Sequence, residues 1–109
     1  MTAITLINSF DISVGLEQLF LQCWKQVNAY LQKKPGYLGH KLHRAITPDA
    51  PFRFVNIARW SSIAHFEAAH DAGFRELVDQ PAWSAFQPNP NLYEVVHVAG
   101  DWHETVDSR

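Results

Sequence analysis

Apolar residues alternate from Ala3 to Phe10, with Ile4, Leu6, Asn8 and Phe10 on one side and Thr5, Ile7 and Ser9 on the other. This is the period-two pattern of a strand with both faces largely covered. Between Ser13 and Lys33 the period lengthens: Leu16, Leu19, Phe20, Cys23, Val27, Tyr30 and Leu31 recur three and four apart among Glu, Gln and Lys. The spacing predicts a long amphipathic helix, which Pro35-Gly36 ends. Alternation returns over Tyr37 to Ile46, with Leu38 and Leu42 facing one way and Tyr37, Lys41 and His43 the other. Thr47 to Pro51, two prolines around an aspartate, predicts a turn.

The richest stretch is Phe52 to His70. Phe52, Phe54, Asn56, Ala58 and Trp60 share one strand face, with Arg53, Val55, Ile57 and Arg59 opposite. Ser61 and Ser62 then offer N-caps for a helix whose stripe is Ile63, Phe66, Ala69 and His70. Gly73 is expected to end that helix, and Phe74, Leu77 and Val78 to form a short apolar piece closed by Pro81. Gln80 to Asn91, rich in proline and asparagine, predicts a structured loop, and Leu92 to Ala99 the last strand. The order strand, helix, strand, strand, helix, strand predicts a ferredoxin-like α+β fold, βαββαβ, with one antiparallel sheet and both helices on one face. Apolar residues such as Ile7, Val55, Ile57, Val96 and Val98 on the other face call for a cover, and a second copy of the chain is the simplest.

At 109 residues, 47% of them hydrophobic, the chain makes one domain, with a core over about 3–99 and a polar tail over 100–109. Its 9 basic and 11 acidic residues form no block or stripe, which argues against nucleic acid as a partner. The lone Cys23 excludes an internal disulfide and fits a reducing cytoplasm. No apolar run is long enough to span a membrane. The glycines make no nucleotide-binding loop, and His65 with His70, or His40 with His43, point to different faces, so spacing predicts no metal site.

Candidate chemistry comes from polar residues in apolar places. Asparagine is depleted in strands, so Asn8 and Asn56 need a partner or a ligand. Asn56 lies between Phe54 and Trp60 on its face, and His70 ends the helical stripe with Phe66 one turn before it. Aromatic walls accept a planar ring, amides hydrogen-bond its oxygens, and an imidazole can move a proton.

The pieces Asn8-Ser-Phe10, Pro35-Gly36-Tyr37, Leu42-His43-Arg44, Asn56 with Trp60, and Phe66 to His70 together resemble the antibiotic biosynthesis monooxygenase family of dimeric α+β barrels. The resemblance implies a homodimer with a pocket for a small aromatic ligand between sheet and helices in each subunit. It implies oxidation of a small or polycyclic phenol by O₂ with no metal, flavin or other cofactor. Asn56, Trp60 and His70 are the expected catalytic residues, and Asn8, Phe54 and Phe66 the expected substrate-binding ones. Quinone-forming members carry a helical tyrosine where this chain has Phe66. Of the strand Asn, helical Trp and helical His of the haem-degrading branch, only Asn8 is matched, the Trp position falling near Ala69. The alternatives are a non-catalytic dimeric ligand-binding or stress-related protein of the same fold and, third, a haem-degrading monooxygenase.

Overall fold

A computed structural model describes residues 3–102. β1 (Ile4–Phe10) is followed by α1 (Glu17–Leu31), β2 (Tyr37–Arg44) and β3 (Phe54–Trp60). Two short helices come next, α2 (Ile63–Ala69) and α3 (Ala72–Val78), then a 3₁₀ turn (Pro81–Ala85) and β4 (Pro88–Tyr93). The four strands form one sheet in the order β2-β3-β1-β4, with every neighbouring pair antiparallel. This is the ferredoxin-like arrangement that the element order predicts.

The pairing of β1 with β3 lays out the inner face. Phe10 lies opposite Phe54, Asn8 opposite Asn56, Leu6 opposite Ala58 and Ile4 opposite Trp60. At one end Phe20 of α1 stacks on Phe54 at 4.7 Å, and Phe86 meets Phe20 edge-on at 5.3 Å. At the other, Ile4 and Trp60 pack with Val27, Leu31 and Ala69. Only Asn, Leu and Ala stand between the two clusters, and the shorter of these cannot fill the space beneath α1 as the flanking aromatics do.

Several elements differ from the sequence expectation. The first helix begins at Glu17 rather than Ser13, because Gly15 adopts φ 95°, a left-handed conformation no helix can contain. Gly73 lies inside α3 instead of ending α2; the break comes earlier, where the Asp71 side chain caps α3 by accepting from the Phe74 N–H at 3.0 Å. The last strand is Pro88–Tyr93 rather than Leu92–Ala99. β4 is an edge strand, where prolines are tolerated, and Tyr93 is already opposite Thr5, so β1 has almost no residues left to pair with Glu94 and beyond.

Tyr37 lies on the inner face, away from Lys41 and His43. A bulge between Tyr37 and Gly39 sets Tyr37 opposite Trp60 and Gly39 opposite Arg59, two steps on β2 against one on β3. The outer face is not fully covered within the chain, since Leu38 and Ile57 are exposed; Val96 and Val98, expected on that face, lie beyond the end of β4 and outside the sheet. Of the expected polar tail, Gly100 to Trp102 are exposed and the rest lies outside the described residues.

One polar clasp fixes α3 against α1. Asp71 accepts from the Tyr30 hydroxyl at 2.6 Å and from Lys34 Nζ at 2.8 Å. Both bonds, Lys34 first, hold its carboxyl well below the ordinary carboxylate range. A Cβ at Gly73 would lie 2.3 Å from the Tyr30 hydroxyl, so a side chain there must push Tyr30 off Asp71. Gly73→Ala is expected to destabilise the fold by about 1–3 kcal/mol. Urea unfolding measures this, and an unchanged midpoint would mean that α3 is not clasped in this way.

Candidate active site

The gap between the two core clusters is a cavity of about 380 Å³. Pockets that enclose small organic ligands run from about 300 to 1,000 Å³, so one or a few fused rings fit. Its floor is the inner sheet face, including Leu6, Asn8, Asn56, Ala58 and Trp60, and its roof is α1 through Trp24, Val27, Asn28 and Leu31. Phe66, His70, Phe74 and Val78 close one side, and Trp83, Pro88 and Pro90 the other.

Asn56 is 5% exposed, and its Oδ1 is buried with no hydrogen-bond partner. A buried acceptor left unpaired costs about 1–3 kcal/mol, a penalty that a ligand O–H or N–H would remove. Asn8 is placed differently. Its Oδ1 accepts from the Asn89 N–H at 2.9 Å, so the side chain fastens β4 to β1 while lining the same cavity.

Trp60, 1% exposed, is held from two sides, with the Tyr37 ring edge-on at 5.4 Å and Phe66 at 6.1 Å. His70 lies between Phe66 and Phe74, at 4.2 and 4.4 Å between ring centres. Its Nδ1 lies 2.6 Å from the Phe66 carbonyl oxygen. A carbonyl only accepts, so Nδ1 carries the proton and Nε2 keeps a lone pair. Burial lowers the His70 pKa below its ordinary 6.5, against a smaller opposing effect of that hydrogen bond, which favours the neutral, basic ring.

Five of the six expected residues, Asn8, Asn56, Trp60, Phe66 and His70, therefore surround one cavity. Phe54 does not line it. It is 2% exposed and stacked on Phe20, because its rung lies at the packed end of the sheet. Sequence reasoning missed Asn28 and Tyr37. Asn28 falls on the apolar stripe of α1 and donates to the Trp24 carbonyl at 2.9 Å, so the test of a polar residue in an apolar place would have found it. Tyr37 carried no such signal, since its facing depends on the bulge. Among the described residues no group of three or more His, Cys, Asp or Glu could hold a metal ion, and no helix is long and apolar enough to cross a membrane.

The profile of antibiotic biosynthesis monooxygenases matches residues 3–89. The chain belongs to that family. Among solved structures, a candidate monooxygenase from Shewanella loihica PV-4 is 28% identical, covering 90% of this chain and 99% of that one at a TM-score of 0.77. SnoaB of Streptomyces nogalater, a cofactor-independent oxygenase, is 23% identical, covering 93% and 100% at 0.77. A variant of MhuD crystallised with two manganese protoporphyrin IX per active site is 19% identical, covering 90% and 99% at 0.70. Comparison with curated proteins finds no match. A shared fold does not select a ligand, so only the residues around the cavity can narrow the choice.

The unpaired amide gives a test independent of any substrate. Asn56→Leu, close in volume and without polar atoms, is expected to stabilise the fold by about 1–3 kcal/mol, the penalty of the orphaned acceptor. Thermal unfolding measures the shift, and a clear loss of stability would mean that the amide is satisfied within the protein.

Proposed function

We propose that this family member is a cofactor-independent monooxygenase that oxidises a small or polycyclic aromatic phenol with O₂, using neither metal nor flavin. The observation that carries the reading is Asn56 Oδ1, a buried acceptor without a partner on the wall of an aromatic cavity. A phenol hydroxyl donates to it, with the ring against Trp60 and Phe66. An amide also carries donors, so after the proton leaves, a rotated Asn56 can present Nδ2–H to the phenolate oxygen. That interaction strengthens as charge develops, the kind of contact that lowers a barrier.

The reaction balances without a further reductant. The phenolic proton leaves, the electron-rich ring gives electrons to O₂, and oxygen bonds to a ring carbon as a peroxide. Cleavage of the O–O bond with loss of that carbon's hydrogen leaves a quinone and one water. His70 Nε2 is the base at the cavity wall suited to the ring hydrogen. The likeness to SnoaB supports this reading at the level of the fold. Haem degradation draws less support, since buried Ala69 stands near the position of that branch's helical tryptophan.

With a polycyclic phenol under air, chelated and flavin-free protein is expected to consume O₂ and form quinone. Asn56→Ala is expected to lower kcat about a hundredfold, while Trp60→Phe chiefly raises KM. Activity that vanishes on chelation would reject the chemistry, and full activity in the double variant would remove both residues from it.

The exposed apolar residues of the outer sheet face lead to a second expectation, a homodimer joined through that face. Light scattering after size exclusion should give about twice 12.4 kDa. A stable monomer at micromolar concentration would contradict it.

A further inference from the structure

Residues three apart on a regular strand point to opposite faces, yet Tyr37 and His40 do not. The bulge at Leu38 adds one residue, so Tyr37 lies opposite Trp60 and His40 opposite Ala58, both on the inner face. There the Tyr37 hydroxyl and His40 Nδ1 are hydrogen-bonded. The edge of Trp24 holds the His40 ring from the other side, at 4.8 Å and 86°. Tyr37 lines the cavity with Asn56 and Trp60. His40 also borders a second hollow of about 400 Å³ over the outer face of β2 and β3, where Gly39, Lys41, His43, Ile57 and Arg59 line it. Bulges commonly re-aim side chains beside active sites, and this one assembles two proton-carrying groups.

We infer that Tyr37 and His40 form a proton relay that takes the hydroxyl proton of a bound phenol and returns it to the reduced oxygen. The inference rests on the proposed oxidation of a phenol in this cavity. In the forward transfer the substrate O–H turns from Asn56 Oδ1 to the Tyr37 oxygen and breaks as an O–H forms there, and the original Tyr37 O–H breaks as an N–H forms on His40 Nδ1. The phenolate is left in the cavity and the positive charge on His40. Once O₂ has added to the ring, the same two bonds run in reverse, so the peroxide oxygen gains the proton and the pair is restored. The relay stays at its starting protonation across a turnover.

Burial sets the resting protonation of the pair and leaves the driving force to the acidity of the bound phenol. Burial raises the Tyr37 pKa above 10.0, keeping the phenol protonated, and lowers that of His40 below 6.5, keeping the imidazole a neutral acceptor at pH 7. Among the described residues, the titratable or charged groups that line the second hollow with His40 are Lys41, His43, Arg59 and Asp101. Proton capture is therefore lost as pH falls through the His40 pKa, below 6.5, where the ring is already charged.

The test uses 4-nitrophenol under nitrogen, whose yellow phenolate reports ionisation directly and whose acidity is close to that of imidazole. Wild-type protein should hold a larger phenolate fraction than free probe at the same pH. Tyr37→Phe and His40→Gln should each lose that excess, Tyr37→Phe keeping the ring that packs on Trp60. Equal ionisation in all three proteins overturns the relay, and a probe that fails to bind overturns both the relay and the phenol site. In air, with 1-naphthol, Tyr37→Phe should lower turnover about a hundredfold and His40→Gln should abolish the acid limb of the pH profile. An excess of phenolate that depends on both residues, without oxidation of 1-naphthol, keeps the relay and rejects the monooxygenase reading.

Discussion

The structure depends on the register in which β1 and β3 pair. It places two aromatic-packed rungs, Phe10 with Phe54 and Ile4 with Trp60, at the ends of the inner face, and Asn8 with Asn56 and Leu6 with Ala58 between them. A slip of one residue would turn every one of these side chains to the other face. The same pairing thus makes the core and leaves its middle hollow. Cavity and stability have one origin, since the flanking clusters hold α1 at a height that the short central residues cannot reach.

Period-two and period-3.6 patterning makes the sheet, α1 and the inner faces of β1 and β3 legible in the sequence, because burial acts on every residue of those elements. It fails where a local device outweighs the pattern. Pro88 and Pro90 argue against a strand, yet an edge position removes the objection. Gly73 resembles a stop, but it is small to make room for Tyr30. Simple alternation puts Tyr37 on the wrong face, because one bulged residue changes the parity of everything before it. The candidate site is legible as far as it rests on Asn8, Asn56, Trp60, Phe66 and His70. Phe54 rests on parity alone, which says which face a residue occupies and nothing about where along that face the cavity lies.

The Asp71 clasp joins these levels. Asp71 ends the segment that carries His70 and begins the helix that carries Phe74, so the bonds from Tyr30 and Lys34 fix both rings relative to α1. The His70 ring is oriented within α2 by the Phe66 carbonyl and positioned against the roof through Asp71. α3 also packs Phe74, Leu77 and Val78 against the cluster of Val27, Leu31 and Trp60, although none of its residues is fully buried. The clasp adds direction to that apolar packing, which alone would leave this wall free to slide along α1.

The prolines of β4 also govern how the sheet can grow. Pro88 and Pro90 have no N–H, and an in-sheet proline is tolerated where that group would have pointed away from the neighbouring strand. The outer rim of β4 therefore offers carbonyls without donors over its first half, while the intervening Asn89 N–H is taken by Asn8. At the opposite rim, the bulge of β2 distorts the ladder and Lys41 adds a charge. Neither rim can template an added strand well. Copies of the chain that meet at high concentration therefore find little at either rim from which to extend the sheet edge to edge.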